Sequence, residues 1–177
     1  IAAINYVTSN YGYSTEDFDF VEVYNEPDWE FPQGSRANMY EIMQEYRTRS
    51  QLGSIPIVGP STLSSSNAYS WYDPNRDLID IGATHVIGGT MQSFIDFINE
   101  VHSDDKTFLN PEIHNYIELM IAAELSDRPG EGGLFWGEVD PAEGRFVKAA
   151  QGKRIAYKMH APTWSGASAY RDLQGRV

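Results

Sequence analysis

Three things are missing or scarce in this chain. It has no cysteine, which excludes disulfides, zinc–thiolate sites and cysteine nucleophiles. Basic residues are few, because 13 Lys and Arg stand against 25 Asp and Glu and give a net charge of −12. A nucleic-acid site needs clustered cations, so no nucleic-acid partner is expected. No run reaches the roughly 18 to 20 apolar residues that cross a bilayer, so no membrane partner is expected either.

Glycine motifs that bind phosphate are also absent, since neither G-x-G-x-x-G nor G-x-x-x-x-G-K-[ST] occurs. Short apolar runs alternate with helical periods five times, which predicts parallel βα units. An open doubly wound sheet and a (β/α)8 TIM barrel both satisfy this alternation, and the missing phosphate motifs favour the barrel. A complete barrel runs about 250 residues, so the 177 residues are interpreted as a fragment covering roughly strands 4 to 8.

The predicted elements give the domain organisation. Residues 1–165 are expected to form the C-terminal portion of the barrel domain, and 166–177 the start of an accessory β-rich domain. Both ends of the chain are expected to be cut. The predicted strands end near Tyr24, Pro60, Ile87, Glu112 and Gly137; helices are predicted over 35–52, parts of 67–80, 90–104, the residues after Glu112, and 146–159.

The first predicted strand stops on the triplet Asn25–Pro27. Proline lacks an N–H and pushes the preceding residue toward extended geometry, so Glu26 is expected where the strand becomes a loop. A second acid, Glu112, also follows an apolar strand and lies next to Pro111. If these strands are the fourth and seventh of eight, the two carboxyl groups face each other across the barrel mouth. This arrangement predicts glycosidic bond cleavage, in which one acid protonates the leaving oxygen and the other attacks the anomeric carbon.

Other acids compete with Glu112 for the nucleophile role. Glu118 lies three residues after Asn115, a capping-box spacing that explains it structurally. Glu138 follows a tryptophan and glycine and stays a candidate. A metal cluster of Glu112, Glu118 and two histidines is a further reading, although its spacing matches no common metalloenzyme motif. The prediction is therefore a site without a metal.

The polar strand ends together resemble a known group of enzymes. An Asn-Glu-Pro triplet at a fourth strand, a glutamate at the seventh and a tryptophan at the eighth resemble the retaining glycoside hydrolases of clan A. Within the clan, the segments 25–29, 85–90, 112–115 and 133–137 most resemble glycoside hydrolase family 86, whose members are β-agarases and β-porphyranases.

This resemblance implies roles for individual residues. Glu26 would be the acid/base and Glu112 the nucleophile. The substrate-binding residues would be Asn25, which contacts the sugar 2-hydroxyl, Trp136, which lies beneath that sugar, and Trp29, His85 and His114. Flat aromatic faces suit the C–H face of a pyranose, so Trp71 is a further candidate wall.

The resemblance also implies the whole activity: a retaining endo-hydrolase of agar- or porphyran-type β-galactan that works without a cofactor. Its partner would be the polysaccharide, and the protein would be a monomer that is secreted or lies in the periplasm or on the outer surface. The isolated fragment is expected to be inactive. The alternatives are another clan A glycosidase, such as a β-xylosidase or β-glucanase, and a carbohydrate-binding barrel without hydrolysis.

Overall fold

The structure is a computed structural model, which describes residues 2–30, 33–50, 52–115, 118, 121, 122, 125, 126, 128, 131–136, 148, 152–163 and 165–177. The helices whose bounds lie within the described residues are α1 (Ala2–Tyr11), α2 (Arg36–Thr48), α3 (Ser65–Tyr72) and α4 (Met91–Ser103). The strands are β1 (Val21–Glu22), β2 (Ile57–Ser64), β3 (Ile81–Gly88), β4 (Thr107–Ile113), β5 (Gly132–Phe135), β6 (Lys153–His160) and β7 (Ser165–Arg171). No helix among the described residues is long and apolar enough to cross a membrane.

The first five strands form one parallel sheet in the order β1-β2-β3-β4-β5. Each strand therefore lies beside its neighbours in sequence, with helices on the connections. A doubly wound sheet would reverse its strand order at a switch point, whereas a barrel keeps one direction. The predicted fragment of a (β/α)8 barrel is confirmed.

Two apolar layers cover the two faces of the sheet. The larger layer packs the helices on the outside and contains Phe94, Phe97, Ile98 and Val101 of α4, as their helical spacing predicts. The smaller one comprises Val58, Ala83 and Leu109, from three adjacent strands, with Ile81 against them. This inner layer packs the three adjacent strands β2, β3 and β4 against one another.

Strand β1 is the edge of the sheet, and an apolar groove of about 490 Å³ runs beside it. Met39, Met43 and Tyr46 of α2 are buried, whereas Ile42 is 44% exposed and lines this groove. A further βα unit of a closed barrel would lie against this edge, which gives the apolar Ile42 side chain its physical reason.

Hydroxyl side chains cap the starts of α2 and α4, as is common for helices. The Ser35 hydroxyl accepts a hydrogen bond from the Asn38 N–H (3.1 Å), and the Thr90 hydroxyl accepts one from the Ser93 N–H (3.0 Å). The residues around Pro74 form a short 3-10 turn after α3, as expected where proline interrupts a helix.

The last predicted helix, 146–159, is wrong over residues 153–159. These residues belong to β6, which pairs antiparallel with β7 and is joined to it by a 3-10 turn at Ala161–Thr163. Local periodicity does not register a partner strand that follows later in the chain, and the cross-strand pairing decides the structure here. The predicted division between the two domains, after residue 165, falls inside this hairpin. The division itself stays a prediction.

Candidate active site

The carboxyl ends of three strands bring Glu26, His85 and Glu112 together. His85 Nδ1 lies 3.0 Å from Glu26 Oε1 and 3.9 Å from Glu112 Oε2. One oxygen of Glu26, one of Glu112 and a ring nitrogen of His85 all lie within 4.8 Å of one another. The two acids that were singled out by sequence are thus neighbours, with the imidazole beside both.

Glu26 lies in an unusual backbone conformation. Its φ is +52°, a left-handed value that costs a residue with a side chain roughly 1–3 kcal/mol. Its N–H donates to the Ser61 carbonyl (2.9 Å) and its carbonyl accepts from the Trp29 N–H (3.1 Å). The residue is only 9% exposed, so the carboxyl group is largely shielded from water.

His85 is fully buried in the middle of the sheet. Its Nδ1 faces the two glutamates, while its Nε2 has no hydrogen-bond partner among the described protein atoms. Buried polar atoms are almost always satisfied, so this nitrogen is a natural position for a water molecule. His85 was expected to bind substrate; in this structure its ring contacts the two carboxyl groups.

Glu112 and His114 lie together at the end of β4. His114 Nε2 is 3.6 Å from Glu112 Oε2, and the imidazole is more exposed than the carboxyl group. The Glu112 N–H donates to the Asn110 side-chain oxygen (3.1 Å). The sequence analysis did not single out Asn110. The signal was present, because Asn110 lies close to Pro111 and Glu112 in the sequence, just as Asn25 lies next to Glu26 and Pro27.

Glu118 is held as its capping-box spacing predicts. Its N–H donates to the Asn115 side-chain oxygen (3.1 Å), and its carboxyl group accepts from the Asn115 side-chain amide. It also accepts from the His114 N–H (3.0 Å). Burial raises the pKa of Glu118 above its ordinary value, although these hydrogen bonds act in the opposite direction. Its contacts account for Glu118 as a structural residue.

The raised pKa of Glu118 predicts how stability changes with pH. The folded state holds this proton more tightly than the unfolded state, so the contribution of Glu118 to stability falls as pH rises above about 4.5. Urea unfolding of the protein and of Glu118→Gln should show a stability difference that shifts in favour of the variant between pH 4.5 and 7. Glu41→Gln, the same substitution at an exposed position of α2, is the matched control for the exchange itself. A pH-independent difference for Glu118→Gln would contradict the prediction.

The tryptophans have different environments. Trp136 follows β5 directly and is 67% exposed, and its backbone N–H donates to the Ile113 carbonyl (3.0 Å). Trp29 is 52% exposed, and Asn25 is also exposed. Trp71 is only 8% exposed and belongs to the outer apolar layer, so the prediction that it forms a subsite wall is wrong.

The structure brings together a different set of possible metal ligands from the set that the sequence suggested. Glu26, His85 and Glu112 are close enough to share a divalent ion, and they are ordinary ligands for one. Glu118, which belonged to the sequence-based cluster, is instead engaged at its helix start. Glu138, the remaining competitor for the nucleophile role, lies outside the described residues.

Comparisons with known proteins bear on the fold. No family model and no curated protein matches the chain. A family 30 endoxylanase from Clostridium papyrosolvens C71 has a similar structure, with 18% identity and a TM-score of 0.52 over 79% of this chain. A family 30 subfamily 8 xylanase from Clostridium acetobutylicum has 16% identity and a TM-score of 0.49 over 78% of this chain. The chain spans 38% of the length of each of these structures.

The likeness with the TM-score of 0.52 shows that this chain shares the architecture of part of that structure, in agreement with the barrel fragment described above. At this level of identity it establishes architecture alone. The finer resemblance to family 86 stays a prediction.

Proposed function

We propose that a complete barrel containing this chain is a retaining glycoside hydrolase with Glu26 as acid/base and Glu112 as nucleophile. The observation that carries the proposal is that one carboxylate oxygen of Glu26, which follows β1, and one of Glu112, in β4, lie within 4.8 Å of each other. Retaining enzymes hold their carboxyl groups about 5 to 5.5 Å apart, whereas inverting enzymes need about 6.5 to 9.5 Å to admit a water molecule. The short separation favours attack by the enzyme itself.

The reaction then proceeds in two displacements. A Glu112 oxygen bonds to the anomeric carbon as the glycosidic C–O bond breaks, and Glu26 gives its proton to the departing oxygen. Glu26, now ionised, takes a proton from water as that water attacks the anomeric carbon and releases the Glu112 carboxylate. His85 contacts both acids and His114 contacts Glu112, so both are positioned to orient the carboxyl groups.

The substrate that we propose is a β-linked galactan of the agar or porphyran type, cleaved internally. Support comes from the sequence segments that resemble family 86 and from the exposed Trp29 and Trp136, whose faces can stack on pyranose rings. Xylan is the second candidate, because the structure with the TM-score of 0.52 is an endoxylanase. A polysaccharide substrate also leads us to propose that the protein acts outside the cytoplasm as a monomer.

The test is a substrate panel with the complete barrel protein. Release of reducing ends from agarose, porphyran, xylan and β-glucan identifies the sugar, and NMR of the first product identifies its anomeric configuration. We expect the first product from agarose or porphyran to have the β configuration, and we expect the activity to be unchanged by EDTA. Inverted product would overturn the double displacement, loss of activity with EDTA would favour a metal-dependent enzyme, and saccharide binding without hydrolysis would favour a binding protein.

A further inference from the structure

Glu26, the proposed acid/base, lies beyond the end of the hydrogen-bonded pairing between β1 and β2. The pairing of β1 with β2 ends at Glu22 and Val58, four residues before Glu26 in the sequence. Beyond that point the backbone bond from Glu26 to Ser61 continues the connection between the two segments. A left-handed residue such as Glu26 persists only where the surrounding contacts determine its conformation. Another contact is therefore needed to hold this loop.

Asp28 supplies that contact. One carboxylate oxygen accepts from the Leu63 N–H (2.7 Å), and the other accepts from the Ser64 N–H (3.2 Å) and the Asn67 side-chain amide (2.8 Å). All three donors lie at the junction of β2 and α3. Hydrogen bonds to an ionised carboxylate are stronger than those between neutral groups, so the three together form a firm attachment.

The start of α3 explains why a carboxylate is favoured at this place. Ser64 precedes the helix but makes no side-chain capping bond, and the first turn contains no acidic residue. Helix starts favour negative charge, because their free N–H groups point outward. Asp28 provides this charge from a separate segment, and Pro27, which is buried, restricts the backbone between Asp28 and Glu26.

We infer that Asp28 is a positioning residue: its bonds to the β2–α3 junction hold the Glu26 carboxyl group where it can protonate the leaving oxygen. This inference rests on the proposed function. Its consequence is selective, because only leaving groups that require a proton should respond to a displaced acid.

Asp28→Asn tests this role, because the amide keeps the shape but turns an N–H group toward the donors. In the complete barrel protein, kcat/KM on agarose or porphyran should fall roughly 10²-fold, the effect of a displacement of about 1 Å. For a 2,4-dinitrophenyl glycoside of an agar or porphyran oligosaccharide, whose leaving group needs no proton, kcat/KM should stay within about 3-fold of wild type. An equal fall on both substrates, or no fall on either, would overturn the inference.

Two further variants complete the experiment. Asn67→Ala removes one donor, keeps the carboxylate and should show the same selectivity with a smaller effect, which covers the case in which Asp28→Asn does not fold. Asp96→Asn, on the exposed face of α4, is the matched control and should leave both activities unchanged.

A second readout does not depend on activity. Hydrogen exchange of the Leu63 and Ser64 amides should become at least about 10-fold faster in Asp28→Asn, because they lose their acceptor. Unchanged exchange would contradict the attachment itself. If wild-type protein hydrolyses none of the polysaccharides, the proposed function fails while this measurement still decides whether Asp28 anchors the loop.

Discussion

Glu112→Gln is expected to abolish hydrolysis, with a fall in kcat on the order of 10⁴-fold or more, as when other covalent nucleophiles are removed. The amide cannot form the glycosyl-enzyme, yet it nearly preserves the volume of the side chain. The backbone bond from residue 112 to Asn110 does not involve the altered group, so the end of β4 should keep its conformation. The loss should therefore be chemical rather than structural.

The measurement is kcat on the polysaccharide together with labelling by a 2-fluoro glycoside, which traps the covalent intermediate. Mass spectrometry should find the label on Glu112 in the wild-type protein. Glu16→Gln, in the exposed turn before β1, is the control and should retain full activity. Label on Glu138, or near-normal turnover by Glu112→Gln, would assign the nucleophile elsewhere.

Glu26→Ala should show the second large effect. Hydrolysis of the polysaccharide should fall by roughly 10²- to 10⁴-fold, the usual contribution of a general acid. The His85 ring would lose its 3.0 Å contact, but the buried imidazole stays enclosed by the sheet. A small anion can enter the space that the carboxyl group leaves.

Azide provides the diagnostic measurement for this variant. With the dinitrophenyl glycoside, azide should accelerate turnover of Glu26→Ala and yield the β-glycosyl azide, because azide needs no general base. The wild-type protein and Glu16→Gln should not respond. Formation of an α-azide, or no acceleration, would be incompatible with Glu26 as the acid/base of a retaining enzyme.

Much of the fold could be predicted because its signals are local. Apolar runs that end on proline or glycine marked the strands, and the period of Phe94, Phe97 and Ile98 marked α4. The spacing from Asn115 to Glu118 predicted a helix start, at which the Asn115 side-chain oxygen accepts from the Glu118 N–H. In each case the residues that interact are within a few positions of each other.

The errors have two causes. Residues 153–159 were expected to be helical but pair with β7, because the side-chain pattern of a short segment does not by itself distinguish a helix from a strand. Trp71 is covered by the outer apolar layer, which a local pattern does not reveal. Asp28 drew no prediction because its partners lie 35 to 39 residues further along the chain. Long-range contacts of this kind depend on how the units pack.

The amino-acid sequence by itself determined the βα alternation, the two strand-end glutamates and the lack of cationic and cysteine chemistry, since these follow from residue type and spacing. Only the tertiary structure decided that Glu26, His85 and Glu112 meet, that Glu118 is structural and that Asp28 anchors the acid-bearing loop. The physical reason is that parallel strands align their carboxyl ends at one edge of the sheet, so residues far apart in sequence become neighbours through packing.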